Sequence, residues 1–160
     1  MKYMEQISTR PAQLSDLDAL LVFEQGVIGA ERPFDNTLRN DPIHYYDIKK
    51  MIEATDVELL VAVSGDTIIG SGYARIETAK PYLQHEQHAY FGFMYVLPQY
   101  RGMGVNKIII DALSEWAASK NITELRLDVY QNNLPAITAY EKVGFAKHMI
   151  EMRMGIKKKT

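Results

Sequence analysis

Apolar residues recur every three or four positions along two long stretches of the chain, which is the spacing of one face of an amphipathic helix. The first stretch starts at Ser15. Ser15 and Asp18, three residues apart, together resemble a capping box. The second covers residues 107–119 and is the clearest helical pattern in the chain. The apolar positions of the two predicted helices are Leu17, Leu20, Leu21, Phe23, Val27 and Ile28, and then Ile109, Ala112, Leu113, Trp116 and Ala117.

Shorter apolar runs between turn residues predict the remaining elements. One short helix is predicted from residue 43 or 45 to residue 54, and another follows the N-cap residue Asn133 and ends at Gly144. The turn at residues 64–66 joins two of the predicted strands into an antiparallel hairpin. The predicted strands are residues 7–12, 58–63, 67–78, 90–96, 125–130 and 145–155.

Composition narrows the class of protein without identifying it. A length of 160 residues is that of about one domain, so we expect a single domain over residues 1–160. The net charge of −2 gives no indication of nucleic-acid binding. The chain has no cysteine, which excludes disulfides and thiolate chemistry and fits a cytoplasmic setting. It has no apolar run long enough to cross a bilayer, and residues 1–10 lack the apolar core of a signal peptide.

A glycine-containing junction lies between the strand at residues 90–96 and the helix at residues 107–119. It reads Gln99-x-x-Gly102-x-Gly104, and Arg101 adds a positive charge. The first turn of a helix has N–H groups without a partner in the helix, and glycines let a ligand approach the backbone closely. The junction therefore predicts an anion site suited to phosphate, with a plain tight turn as the alternative.

The junction is neither a Walker loop nor a complete Gly-x-Gly-x-x-Gly fingerprint, since position 107 is lysine. It resembles the acetyl-CoA loop of the GNAT N-acetyltransferase superfamily, Gln/Arg-x-x-Gly-x-Gly/Ala after a strand and before a helix. A second resemblance to that family is the spacing Asn-x-x-Ala-x-x-x-Tyr-x-x-x-Gly-Phe. The residues that match it are Asn133, Ala136, Tyr140, Gly144 and Phe145.

The resemblance implies an α/β fold of the GNAT type, with helices on both faces of a mixed central sheet. In that fold the strand before the loop and the next strand splay apart and admit acetyl-CoA. The resemblance also implies that Tyr140 stands near the sulfur and protonates the leaving thiolate, a role that suits a phenol. A core aromatic is the alternative reading of Tyr140. The cofactor contacts implied by the resemblance are Met94, Tyr95, Val96, Arg101, Gly102, Met103, Gly104, Val105, Asn106, Asn133 and Tyr140.

The acceptor side of the site is predicted from charge. Glu24 falls within an otherwise apolar helical stripe, so it either reaches water at the edge of the stripe or serves as a binding or catalytic carboxylate. Glu31 and Phe34 follow it in a polar connection, residues 29–36, and are predicted to contact the acceptor. No carboxylate lies in residues 90–96, where many family members carry the base. The candidate bases are therefore Glu24, Glu31, Glu77, His85 and His88.

The sequence thus predicts an N-acetyltransferase that transfers the acetyl group of acetyl-CoA to a primary amine by direct attack in a ternary complex. The acceptor is expected to be a small molecule or a peptide, with no nucleic-acid or membrane partner, and no pattern indicates an oligomeric state. No metal is expected, because nothing completes a ligand set around His85-Glu86-x-His88. The alternative is a catalytically inactive CoA-binding or regulatory module on the same fold.

Overall fold

The computed structural model describes residues 6–160, so residues 1–5 of the segment tested above for a signal peptide lie outside the described residues. Five strands form one mixed sheet in the order β1-β2-β3-β4-β5, antiparallel except for the parallel pair β4 and β5. No helix within residues 6–160 is long and apolar enough to span a membrane. The elements are β1 Ile7–Pro11, α1 Leu17–Glu31, α2 Ile48–Glu53, β2 Val57–Ser64, β3 Thr67–Thr78, β4 Gln87–Val96, α3 Val105–Ser119, β5 Leu125–Arg126 and α4 Leu134–Lys142.

Helices cover both faces of the sheet, because successive side chains of β2 belong alternately to two hydrophobic cores. Leu60 and Ala62 belong to the core on the α3 side, whereas Leu59 and Val61 belong to the core beneath α1 and α2. Successive side chains of a strand point to opposite faces, so one run of apolar residues serves two cores. The prediction of an α/β sheet between helices is confirmed.

The first helix differs from its prediction at both ends. It begins at Leu17, after a 3₁₀ turn at Leu14–Asp16. The Asp16 carboxylate accepts a hydrogen bond from the Gln13 backbone N–H at 2.8 Å, so the predicted capping pair of Ser15 and Asp18 is wrong by two residues. The helix also continues to Glu31, which places the first part of the predicted polar connection within α1.

The C-terminal part of the chain departs most from prediction. The strand predicted at 125–130 has only two ladder residues in β5, and the strand predicted at 145–155 does not form. Residues 145–160 are in neither helix nor strand and contain no turn or bend. The alternating pattern favours an extended backbone, but a strand also needs a neighbour to receive its hydrogen bonds, and residues 127–130 and 145–160 have no ladder neighbour within the described chain.

Candidate active site

A cleft opens where β4 and β5 stop pairing. Their parallel ladder consists of Ala89 with Leu125 and Tyr90 with Arg126, and it ends there in the described chain. Beyond that point lies a cavity of about 150 Å³. Its walls come from β4, from the segment after β5, and from α1, α4 and the aromatic core. The lining residues are Val27, Glu31, Tyr46, Tyr73, Tyr90, Phe91, Gly92, Phe93, Met94, Leu127, Asp128 and Tyr140.

A β-bulge in β4 faces this cavity. Tyr73 of β3 pairs with Gly92 and Ser71 pairs with Tyr95, so β4 contains one residue more than β3 over this interval. Phe93 has a φ of 56° and its carbonyl accepts a hydrogen bond from the Ser71 hydroxyl at 2.9 Å. A bulge leaves one residue of the longer strand outside the ladder. Backbone N–H groups at the bulge are consequently available to a ligand in the cleft.

The glycine junction follows the end of β4. Gly102 and Gly104 have φ values of 77° and 79°, in the left-handed region that favours glycine. A Cβ at either position would find no heavy atom within 4 Å, so this side of the turn is open. Ile108 donates to the Gly104 carbonyl at 3.1 Å, and the N–H groups of the preceding helical residues have no partner within α3. The junction therefore offers the open, N–H-rich turn that an anion needs.

The other predicted loop residues occupy distinct positions. Arg101 donates from Nε to the Val96 carbonyl at 3.0 Å, and its guanidinium lies 5.8 Å from the Tyr95 ring, so its charge is held at the end of β4. Met103 is exposed, whereas Val105 is buried in the core and offers only its backbone to a ligand. Asn106 is half-buried in the first turn of α3.

Helix α4 carries the second family motif. The Asn133 Oδ1 atom accepts a hydrogen bond from the Ala136 N–H at 3.4 Å, which confirms the predicted N-cap. The cap does not use the two N–H donors of the same side chain. Tyr140 lines the cavity, and its ring packs edge-on against Phe145 with centroids 6.0 Å apart. Burial, and then the negative charge of Glu31, raise the pKa of Tyr140 to about 12, so the phenol keeps its proton at neutral pH.

Glu31 is the last residue of α1 and lines the cavity beside Tyr140. Burial raises the pKa of its carboxyl group, an effect partly offset by the nearby Tyr45 hydroxyl. That hydroxyl is buried and makes no well-formed hydrogen bond within residues 6–160. A carboxyl group with a raised pKa in the wall of a cavity is a candidate for binding or proton transfer.

Glu24 lies elsewhere. Its side chain is fully buried and does not line the cavity. Oε2 accepts hydrogen bonds from the backbone N–H groups of Tyr45 and Tyr46 at 2.9 and 2.8 Å, and Oε1 lies 2.6 Å from His44 Nδ1. The carboxylate thus holds the loop before α2 against α1. This geometry does not support the predicted contact of Glu24 with an acceptor, or its predicted role as base.

The remaining candidate bases also lie away from the cavity. Glu77 contacts Arg75 at 2.6 Å and His88 at 3.2 Å. Burial is the largest single effect and acts to raise the pKa of Glu77, but the contacts of Arg75 and His88 together outweigh it and the pKa is lowered. His85 lines a separate surface depression with Lys120. Of the five candidates, Glu31 is the one that the cavity contains.

Phe34 and several residues that the sequence analysis did not predict complete the surroundings. Phe34 stacks on Tyr130 with ring centroids 6.0 Å apart. Asp128 lines the cavity and accepts a hydrogen bond from the Tyr90 hydroxyl at 3.1 Å. In the sequence, Asp128 occupies a polar position in the alternating pattern of residues 125–130, and this pattern could have indicated it as a site residue. Tyr46 also lines the cavity, but its position depends on the buried Glu24 and has no local sequence pattern.

Solved structures share the fold of this chain. A predicted acetyltransferase with acetyl-CoA from Clostridium acetobutylicum superposes with a TM-score of 0.70, covering 94% of this chain and 96% of that chain at 19% identity. At this identity the likeness shows the fold alone. The Acetyltransferase (GNAT) family model matches residues 27–145, and the chain belongs to this family.

Curated relatives match over shorter stretches. An aminoglycoside N(6′)-acetyltransferase type 1 from Stenotrophomonas maltophilia is 28% identical over 92 residues, which are 56% of this chain and 58% of the relative. A glucosamine 6-phosphate N-acetyltransferase from Trypanosoma brucei brucei is 39% identical over 59 residues, 37% of this chain and 38% of the relative. The matches thus span less than two thirds of the length of these relatives.

Proposed function

We propose that this protein is an acetyl-CoA-dependent N-acetyltransferase, with residues 1–160 forming one catalytic domain that acts on a primary amine in a ternary complex. The observation that carries the proposal is the cleft between β4 and the segment after β5. A protonated Tyr140 lines its wall, and the open turn at Gly102 and Gly104 follows the end of β4, the strand that forms the opposite wall. Family membership supports the acetyl-transfer chemistry.

The chain's own groups fit the cofactor. Acetyl-CoA supplies an acetyl group activated as a thioester. The turn at Gly102 and Gly104 and the first N–H groups of α3 would hold its pyrophosphate, because both glycine positions are open to a close approach. The backbone at residues 94–96 and the side-chain amide of Asn133 offer hydrogen bonds to its pantetheine arm.

Tyr140 and the β4 bulge have separate roles in the proposed acetyl transfer. Attack of a neutral amine on the thioester carbonyl builds negative charge on oxygen, which backbone N–H groups near Phe93 and Met94 would stabilise. The Tyr140 hydroxyl would donate a proton to the departing sulfur, and because the pKa of Tyr140 is about 12 this proton is present at neutral pH. The new nitrogen–carbon bond would replace the carbon–sulfur bond of the thioester.

Glu31 is assigned to the acceptor. An ammonium group entering the cavity would meet the Glu31 carboxyl group on a wall that also contains Tyr46 and Tyr140. The raised pKa of Glu31 suits it to take the proton that the amine must lose before attack, directly or through water. Aminoglycosides and amino sugars, named in the relatives, are the first acceptors to test.

Cofactor binding is tested by thermal unfolding with and without millimolar acetyl-CoA. A ligand bound only by the folded state stabilises it, so the Tm should rise. Gly104→Val should abolish the rise by obstructing the turn. Gly65→Val is the matched control, since Gly65 also has a positive φ, 57°, but lies in the β2–β3 turn. A wild-type Tm that does not respond to acetyl-CoA would contradict the proposal.

Turnover is tested with a panel of polyamines, amino acids, aminoglycosides, amino sugars and peptides. Tyr140→Phe keeps the ring and removes the proton donor, so kcat should fall by about 10²–10⁴-fold with little change in acetyl-CoA affinity. Tyr82→Phe, at a residue that is 77% exposed, is the control and should keep full activity. Stabilisation by acetyl-CoA without turnover of any amine would favour an inactive CoA-binding module instead.

A further inference from the structure

A network of charged side chains on β3 and β4 lies next to the cavity and has no role in the proposed chemistry. Arg75 and Glu77 are two residues apart on β3, so their side chains share one face of the sheet. The ladder places Tyr90 opposite Arg75 and His88 opposite Glu77. Side chains directly opposite each other in an antiparallel pair also share a face. These side chains therefore meet on one face, and Tyr90 extends the network into the cavity wall.

Glu77 is the fixed end of the network. Its Oε1 atom accepts hydrogen bonds from Arg75 Nε at 3.0 Å and from Arg75 Nη2 at 2.6 Å. Its Oε2 atom lies 3.2 Å from Nε2 of the buried His88. Both carboxylate oxygens are thus occupied, and a guanidinium held through two of its nitrogens has little freedom to turn. Glu77 is one of the candidate bases predicted from the sequence, and this geometry gives it a different role, that of an anchor for Arg75.

Arg75 in turn contacts two tyrosine rings of the cavity wall. Its guanidinium carbon lies 5.6 Å from the ring centroid of Tyr73 and 5.5 Å from that of Tyr90. A cation at this distance over the face of an aromatic ring is attracted to it. Tyr73 is 3% exposed and also packs edge-on against Tyr46, so it is held without Arg75. Tyr90 is only half-buried, and its orientation depends more strongly on the Arg75 contact.

The Tyr90 hydroxyl connects this network to a carboxylate of the cavity wall. It donates a hydrogen bond to Asp128 Oδ2 at 3.1 Å. Burial, and then the negative charge of Asp128, raise the pKa of Tyr90, so the hydroxyl keeps the proton that it donates. Within residues 6–160, no other hydrogen bond or ion pair holds the Asp128 carboxylate. The orientation of Asp128 is therefore set by Tyr90.

We infer that Arg75 is a positioning residue for the acceptor side of the cleft. Anchored on Glu77, it fixes the ring of Tyr90, and the Tyr90 hydroxyl holds the Asp128 carboxylate in the cavity wall. Together with Glu31, Asp128 gives the cavity two carboxyl groups that attract a cationic amine. The positive charge of Arg75 is paired with Glu77 and does not cancel this attraction. The inference rests on the proposed function and adds a residue that does not itself line the cavity.

Steady-state kinetics test the inference with the panel amine that wild type turns over fastest. Arg75→Ala should raise the acceptor KM about tenfold, the size expected for the loss of one hydrogen bond to a charged group, and leave kcat nearly unchanged. Arg10→Ala is the matched control, because Arg10 on β1 also forms two hydrogen bonds to one carboxylate, that of Asp16, at 2.8 and 2.9 Å. It should lower the Tm and keep the wild-type KM. An unchanged KM in Arg75→Ala would overturn the inference.

Double-mutant cycles measure whether Arg75 acts through Tyr90 and Asp128. Tyr90→Phe keeps the ring and removes only the hydroxyl, so it should raise the acceptor KM as Arg75→Ala does. Asp128→Asn should also raise it, and Arg75→Ala added to Asp128→Asn should have no further effect, because residues that act as a unit are not additive. Independent effects of the two changes, or a wild-type KM in Tyr90→Phe, would refute the positioning role. Tyr90→Phe decides the question if Arg75→Ala does not fold.

The ring of Tyr90 can also be followed without turnover, by NMR relaxation of isotope-labelled tyrosine rings assigned with Tyr90→Phe. Arg75→Ala should increase the ring motion of Tyr90 and leave that of the buried Tyr73 unchanged. Equal changes in both rings, or no change in either, would contradict the inference. A wild type that turns over no amine would remove the proposed function and this inference with it. An active wild type whose Arg75→Ala variant keeps the wild-type KM would remove this inference alone.

Discussion

Replacing Glu24 by alanine should destabilise the fold strongly while leaving the chemistry untouched. The substitution removes the acceptor of two backbone hydrogen bonds, from Tyr45 and Tyr46, at a position with no solvent exposure. Each buried N–H left unpaired costs about 1–3 kcal/mol. The loss of one packed methylene group adds about 0.8 kcal/mol. The contact with His44 adds little, since that side chain is 63% exposed.

The total is about 3–7 kcal/mol, and for a chain of this size its middle corresponds to a decrease in Tm of roughly 10–20 °C. Glu24→Gln should cost only about 1–2 kcal/mol, because its Oε1 can accept from both N–H groups while Nε2 donates to His44. Thermal unfolding followed by circular dichroism at pH 7 measures both effects. Glu115→Ala, at an exposed position of α3, is the control and should leave the Tm nearly unchanged.

Kinetics separate this structural role from contact with the acceptor. Release of free CoA can be followed with a thiol reagent without interference, since the chain has no cysteine. Folded Glu24→Gln should keep both kcat and the acceptor KM of wild type. The reasoning would be refuted by a Glu24→Ala protein as stable as Glu115→Ala, or by a Glu24→Gln protein with an unchanged Tm and a tenfold higher acceptor KM.

Three further outcomes follow from the same geometry. Glu31→Gln should lower kcat by about 10²–10⁴-fold and remove the acidic limb of the plot of kcat against pH. Because the pKa of Glu31 is raised, that limb should lie above pH 4.5 in wild type. A higher KM with unchanged kcat would mean that Glu31 only binds the acceptor. The pKa of Asp35 is lowered from 3.8 to about 2, mainly by the hydrogen bond from the Thr37 hydroxyl. Its contribution to stability is therefore fully present above pH 3.8 and is lost as the pH falls towards 2. Acid unfolding of Asp35→Asn should lack that dependence, and a curve parallel to wild type would contradict it. Gly70→Ala should lower the free energy of unfolding by about 1–3 kcal/mol in urea, because the added Cβ would lie 2.8 Å from the Tyr95 carbonyl oxygen. Gly29→Ala is the control, since a Cβ there has no heavy atom within 4 Å. Equal stability of the two variants would refute the clash.

Patterns among residues close together in the sequence were enough to predict most of the helices and strands. The three-and-four spacing along α1 and α3 depends on neighbours a turn apart, and these lie close in any helix. The hairpin of β2 and β3 follows from two apolar runs joined by a short turn. The turn that we propose for the cofactor is local in the same way, because a strand, two glycines and a helix N-terminus are contiguous in the chain.

The acceptor side was not predictable in this way. Glu24 and Glu31 lie on the same helix, and the sequence favoured Glu24 because it interrupts an apolar stripe. The structure satisfies Glu24 with N–H groups from 20 or more residues away and leaves Glu31 in the cavity. Which carboxylate remains available is set by the loop before α2, and its path has no local pattern.

By itself, the sequence of this protein determined where the helices and most strands form, where the glycine turn lies and the position of the Tyr140 motif, since each depends on residues close together in the chain. Only the tertiary structure decided which carboxylate reaches the cleft, where β4 carries its bulge, and that residues 127–130 and 145–155 do not form the predicted strands. The physical reason is that a strand is completed by hydrogen bonds to a neighbour, and a buried charge is stabilised by distant partners. Both are properties of the assembled fold.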